Sequence, residues 1–147
     1  MTQQQLVFLG GTCGKNTWRN VVISALVAQG VSKDALFNPV VENWTKECQV
    51  LEDQVKATAP IVVYYLASPK DDNPNSVSAY SLVEATMALY DDSDRAVVVF
   101  DTDGLSGHVL KVMKKVEDDL KKRFPTAAIL SSVDLIPYLA KRVADLG

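Results

Sequence analysis

Ile61-Val62-Val63-Tyr64-Tyr65-Leu66 is the stretch on which the fold turns. It is a run of β-branched, aromatic and aliphatic side chains with no polar residue in alternation, so neither face of a strand built from it can meet water. Such a strand belongs in the middle of a parallel sheet covered on both sides.

Moving outward from it toward the C-terminus, residues 68–78 hold Pro69, Asp71, Asp72, Asn73, Pro74 and Asn75, the longest turn-rich stretch in the chain. A loop of that length in a compact domain is usually functional or mobile. A helix is predicted over residues 78–90. A fourth strand follows over 95–100, ending in Asp101-Thr102-Asp103-Gly104, then an amphipathic helix over 108–124 closed by Pro125. Residues 127–130 read as a fifth strand and 133–146 as the last helix, where Pro137 is tolerable only near the first turn.

Toward the N-terminus, Trp44, Cys48, Leu51 and Val55 recur at helical spacing and predict an amphipathic helix over 43–58. Residues 35–41 read as a short second strand whose ladder is limited by Pro39. Val22, Ile23, Leu26 and Val27 mark a helix over 18–29, with Asn16 or Thr17 as its cap and Gly30 as its stop. Leu6-Val7-Phe8-Leu9 is a strand cut off by Gly10-Gly11. Strands alternating with helices predict an α/β three-layer sandwich, with a five-stranded parallel sheet in the flavodoxin-like, Rossmann-like order 2-1-3-4-5.

Composition sets the outer bounds. A chain of 147 residues is expected to form a single domain over 1–147, and 48% apolar with 22% charged residues is ordinary for a soluble globular protein. The net charge is −3, and the basic residues gather at 111–123 and 141–142 on helix faces, which argues against a nucleic-acid partner. Cys13 and Cys48 have no CxxC spacing and His108 is the single histidine, so neither a zinc site nor any other metal or organic cofactor is expected. The cysteine usage fits a reducing cytoplasm. Residues 1–5 lack a basic start and no apolar run approaches ~18 residues, so neither an export signal nor a membrane span is expected.

In the predicted order the first and third strands are neighbours, and the loops leaving them flank the switch-point crevice where open α/β sheets keep their ligands. Gly10-Gly11-Thr12-Cys13-Gly14-Lys15-Asn16 is glycine-rich and feeds a helix N-terminus, a place that favours anions. It has neither GxxxxGK[ST] nor GxGxxG spacing, and a tight turn without ligand is the equal alternative. Trp18 and Arg19 can stack on a base or hold a carboxylate, or serve as a core tryptophan and a surface arginine. Glu84 stands among Leu82, Val83, Ala85, Met87, Ala88 and Leu89 on the helix after the third strand. Glutamate is usually solvated, but these neighbours predict a partly buried carboxylate at the crevice. Cys13 near a helix N-terminus is a further nucleophile to weigh, with His108 as its single conventional base. Met87 and Met113 read as core residues.

Phe8-Leu9-Gly10-Gly11-Thr12, Trp18-Arg19, Asn38-Pro39, Trp44 and Ser81-Leu82-Val83-Glu84-Ala85 resemble, in order and spacing, the nucleoside 2-deoxyribosyltransferase-like proteins over roughly residues 6–101. The resemblance implies that Glu84 attacks the anomeric carbon of a nucleoside or nucleotide, giving a covalent glycosyl-enzyme that a second base or water resolves. It implies substrate contacts from Gly10, Gly11, Thr12, Trp18, Arg19, Ser78 and Tyr80, and a homo-oligomer in which a partner subunit completes the site. The family commonly carries an aspartate where this chain has Ser78 and a first-strand tyrosine where it has Phe8; Tyr80, one turn before Glu84, is the available phenol. Asp71, Asp72, Asp101 and Asp103 are the acids available to protonate a leaving base, with Asp101 the best placed. The alternative is a non-catalytic nucleotide-binding or sensing module of the same fold, and a flavodoxin-like interaction domain is a third.

Overall fold

The computed structural model describes residues 4–147. Five strands, β1 (Val7–Gly11), β2 (Leu36–Phe37), β3 (Ile61–Leu66), β4 (Ala96–Phe100) and β5 (Ala128–Ser131), form one parallel sheet in the order β2-β1-β3-β4-β5. The helices between and after them are α1 (Trp18–Ala28), α2 (Lys46–Thr58), α3 (Ala79–Asp92), α4 (Gly107–Arg123) and α5 (Leu135–Leu146). Strand β3 is buried along its whole length, as its unbroken apolar run requires.

The strand period of two sorts side chains into two cores. Val7, Leu9, Val63, Tyr65, Val97 and Val99 face α1 and α5, where they meet Trp18, Val22, Leu26, Leu135 and Leu139. Phe8, Val62, Tyr64, Leu66, Val98 and Phe100 face the other way, against Val55 of α2, Ala85 and Leu89 of α3 and Met113 of α4. Each such fully buried aliphatic side chain contributes on the order of 1.5–3 kcal/mol. The sheet is thus a slab with apolar matter on both sides, and its polar business is confined to the strand ends.

Several boundaries differ from the sequence reading for identifiable reasons. The second strand shrinks to two residues, because a 3-10 turn at Lys33–Ala35 leads into it and Pro39 follows. Helix α2 starts at Lys46 with Thr45 as its cap, Oγ1 accepting from Cys48 N at 3.3 Å, so Trp44 lies outside the helix and is 55% exposed. Of the four apolar positions read there only Val55 is buried; Leu51 is exposed and Cys48 half-buried. Met87 points to solvent rather than into the core. At α1 the cap position is Thr17, whose side chain makes no capping bond, while Asn16 Oδ1 accepts from Trp18 N. Gly30 ends α1 as expected. Its φ of +97° lets Gly30 N reach Val27 O and Val31 N reach Leu26 O, the paired closure of a helix C-terminus. Among the described residues no helix is long and apolar enough to cross a membrane.

Candidate functional site

The crevice is built by two loops leaving the carboxyl ends of adjacent strands. After β1 the chain must turn against β3, and Gly11 makes the closest approach: its φ is +113°, and a Cβ there would lie 2.4 Å from both Tyr65 N and Tyr65 O. Thr12 then stitches the two strand ends together. Its N–H donates to Tyr65 O at 2.8 Å, and its Oγ1 donates to Ala67 O at 3.1 Å and accepts from Ala67 N at 3.0 Å.

Arg19, on the first turn of α1, is buried beneath this loop. Its Nε donates to Leu9 O at 2.8 Å, Nη1 to Thr12 O at 2.7 Å and Nη2 to Gly11 O at 3.0 Å. All three nitrogens hold main-chain carbonyls, so the guanidinium shapes the turn. Burial lowers its pKa from the ordinary arginine value. Trp18 stacks on Tyr65 with ring centroids 4.3 Å apart and donates from Nε1 to Thr12 O at 2.9 Å.

Above these loops lies a hollow of about 450 Å³. Gly10, Gly11, Thr12, Arg19, Ser78, Tyr80 and Glu84 all line it, so seven of the residues singled out from sequence converge. Trp18 and Asp101 are not among its lining residues. Trp18 is spent on packing. The Asp101 carboxylate accepts from Tyr65 Oη at 2.6 Å and from Asp103 N at 3.0 Å on the far side of β3.

Ser78 caps α3, its Oγ accepting from Ser81 N at 3.2 Å, and this start sets the helix phase that brings Glu84 to the rim. Tyr80 is 73% exposed. The Glu84 carboxylate is half-buried and accepts from Lys56 Nζ of α2 at 2.6 Å. Burial opposes the charge on Lys56, but the Glu84 bond and the groups around it outweigh this and raise its ammonium above the ordinary value. Lys56 also sits 5.6 Å from the Phe8 ring centroid, a cation over an aromatic face. A second hollow of about 300 Å³ lies beside the first, and Glu84 and Tyr64 line both.

Three residues here escaped the reading of the sequence as site groups: Glu52, Lys56 and Tyr64. Glu52 and Lys56 are one turn apart on α2, a spacing visible in the sequence, but nothing in it said which face of α2 meets α3. In the sequence Tyr64 is one residue of an apolar strand run. Its parity with Phe8 puts it on the α3 side, where it pairs in register with Gly10 and lines the crevice. Burial raises the Tyr64 phenol above its ordinary value, keeping it a hydrogen-bond donor at neutral pH. Glu52, Asp71 and Glu84 all line the crevice, yet among the described residues no group of acids, cysteines or histidines is placed to hold a metal ion.

The all-parallel α/β sheet has a carboxylate-lined crevice at its switch point, the place where open sheets of this kind keep their ligands. Residues 4–104, more than half of the 147-residue chain, match the family described as nucleoside 2-deoxyribosyltransferase like, and the chain belongs to that family. Membership supports a related glycosyl-transfer role, and a family that binds nucleosides is consistent with a small-molecule partner. No curated protein and no solved structure matches the chain.

Proposed function

We propose that this protein cleaves the N-glycosidic bond of a nucleoside, most simply a 2-deoxynucleoside, and passes the sugar to a second base or to water. The observation that carries the proposal is Glu84: a carboxylate at the rim of the switch-point crevice, anchored at 2.6 Å by Lys56, on a helix whose start is set by Ser78. Glu84 attacks the anomeric carbon as the bond to the base breaks, and a covalent glycosyl-enzyme divides one difficult displacement into two easier ones. Tyr64 supplies the phenol that Phe8 lacks. It faces the same crevice, and its hydroxyl has no hydrogen-bond partner among the described residues.

The crevice suits an uncharged nucleoside better than a monophosphate. Glu52, Asp71 and Glu84 line it, whereas Arg19 has committed its three nitrogens to carbonyl oxygens. The Trp18 N–H at the start of α1 is taken by Asn16, which leaves fewer amides of this helix end free to hold an anion.

The test is incubation with deoxynucleosides and their monophosphates, with and without an acceptor base, following free and exchanged base by chromatography. Turnover of nucleosides that falls at least ~10³-fold in Glu84→Gln, with a glycosyl adduct on Glu84 by mass spectrometry, supports the proposal. Ligand binding without turnover favours the second reading, a non-catalytic binding module, for which Ser78 and Phe8 at the family's aspartate and tyrosine positions speak. Binding of neither class sinks both.

The same reading includes a homo-oligomer. Tyr80, Val83, Met87 and Tyr90 form an exposed stripe along α3, 55–73% exposed, that begins at the crevice. Cys13 and Cys48 are free thiols, and the proposed setting is a reducing cytoplasm.

A further inference from the structure

We infer that Glu52 is the acid that protonates the departing base and the base that activates the acceptor. The inference rests on the glycosidic reading of the crevice and adds to it the second carboxyl group that such chemistry needs. Four aspartates were candidates from sequence, and geometry removes the best placed of them. Asp101 accepts the Tyr65 hydroxyl and the Asp103 amide and does not line the crevice. Asp103 is exposed and pairs with Lys70, which favours its ionised form. Asp71 does line the crevice, but it is exposed and its carboxyl is engaged by Asn73 N at 3.0 Å within its own loop.

Glu52 differs from all of these. It lines the same crevice as Glu84, it is half-buried, and no hydrogen bond holds its carboxyl among the described residues. It stands four residues before Lys56 on the same face of α2, and the Lys56 ammonium is bonded to Glu84. The charged groups acting on Glu52 are Lys56 and Asp53 of its own helix, Glu84 of α3 and Arg19 of α1; Cys13 of the loop after β1, Tyr64 of β3, Asp71 of the long loop and Tyr80 of α3 line the same space. Burial is the largest influence and raises the Glu52 carboxyl above its ordinary value. Two carboxyls facing one cavity, one paired with a cation and one desolvated, are the division of labour that lets one attack and the other carry a proton.

In the first step the Glu52 carboxyl gives its proton to the base nitrogen as the C–N bond breaks and Glu84 oxygen bonds to the anomeric carbon. In the second, Glu52 carboxylate takes a proton from water or from the acceptor base N–H as that atom attacks the same carbon, and Glu84 departs as carboxylate.

The experiment compares the wild-type protein, Glu52→Gln, Glu52→Asp and Glu84→Gln on a natural deoxynucleoside and on a nitrophenyl 2-deoxyriboside, whose leaving group needs no proton. Glu52→Gln is expected to lose ~10²–10⁴-fold on the nucleoside and less than ~5-fold on the nitrophenyl glycoside, and to lose the alkaline limb of the kcat/KM profile. Glu52→Asp should recover part of the activity, and Glu84→Gln should lose both substrates. Equal losses on the two substrates in Glu52→Gln, or an unchanged alkaline limb, overturn the role of Glu52 while leaving Glu84 standing. A wild-type protein inert toward both substrates overturns the glycosidic reading and this inference with it.

Discussion

At the scale of single residues, the two glutamates of the crevice should leave opposite marks on stability. The Lys56 ammonium is raised, so the favourable contribution of its pair with Glu84 is fully present below its ordinary value of 10.5 and is lost as pH rises through the higher folded value. Glu52 is also raised, so its slope with pH has the same sign in a more acidic window, but here it is the ionised form that folding disfavours. Its proton is held more tightly in the folded state, so stability declines as pH rises from 4.5 through the folded value. Glu52→Gln should therefore gain roughly 1–3 °C in Tm at pH 7 and little at pH 4, whereas Lys56→Met should lose stability at pH 7 and flatten the alkaline fall. Thermal melts across pH 4–11 check both; a Glu52→Gln protein less stable than wild type at pH 7 counts against a desolvated carboxyl. Glu52 is half-buried, which keeps these effects small.

At the scale of elements, the site depends on how strand ends and helix starts are fastened. Thr12→Val keeps the shape but deletes both bonds between Oγ1 and Ala67, leaving a buried amide and carbonyl unpaired. The cost should be ~2–4 kcal/mol, or about 5–10 °C in Tm. Thermal or denaturant unfolding reads this directly, and a shift under ~1 °C would show that Thr12 serves the ligand alone. Gly11→Ala is a harsher change, since its Cβ would meet the Tyr65 backbone, and the expected result is a protein that does not accumulate in folded form. Ser78 offers a cleaner separation of fold from function. Asp caps as well as Ser, so Ser78→Asp should hold Tm within ~1 °C while Ser78→Ala loses ~1 kcal/mol, about 2–4 °C. If the two variants melt together, the Ser78 cap does not set the start of α3.

At the scale of the whole molecule, the exposed stripe of α3 begins beside the crevice, so assembly and site are coupled in the proposed oligomer. Light scattering should give at least a dimer, and Val83→Lys with Met87→Lys should reduce it to monomers and lower turnover together. A monomeric wild-type mass refutes the assembly. Full turnover by the doubly substituted monomer would show that the crevice needs no second copy.

The parallel α/β sandwich and its order were legible in the chain because they rest on local pattern: an unbroken apolar run at 61–66, a valine run at 96–99, and helical periods between them. The convergence of Gly10 to Thr12, Ser78 and Glu84 followed from that order, since adjacent strand ends must bring their loops together. Tertiary structure alone decided which groups face one another. Trp18 turned onto Tyr65, Arg19 onto three carbonyls and Asp101 onto the Tyr65 hydroxyl, because each buried polar or aromatic group takes the partner its burial demands. Lys56 met Glu84, and Glu52 and Tyr64 entered the crevice, through the rotation of α2 and the parity of β3 relative to α3. A helical or alternating pattern tells which side chains share a face; only packing tells what that face looks at.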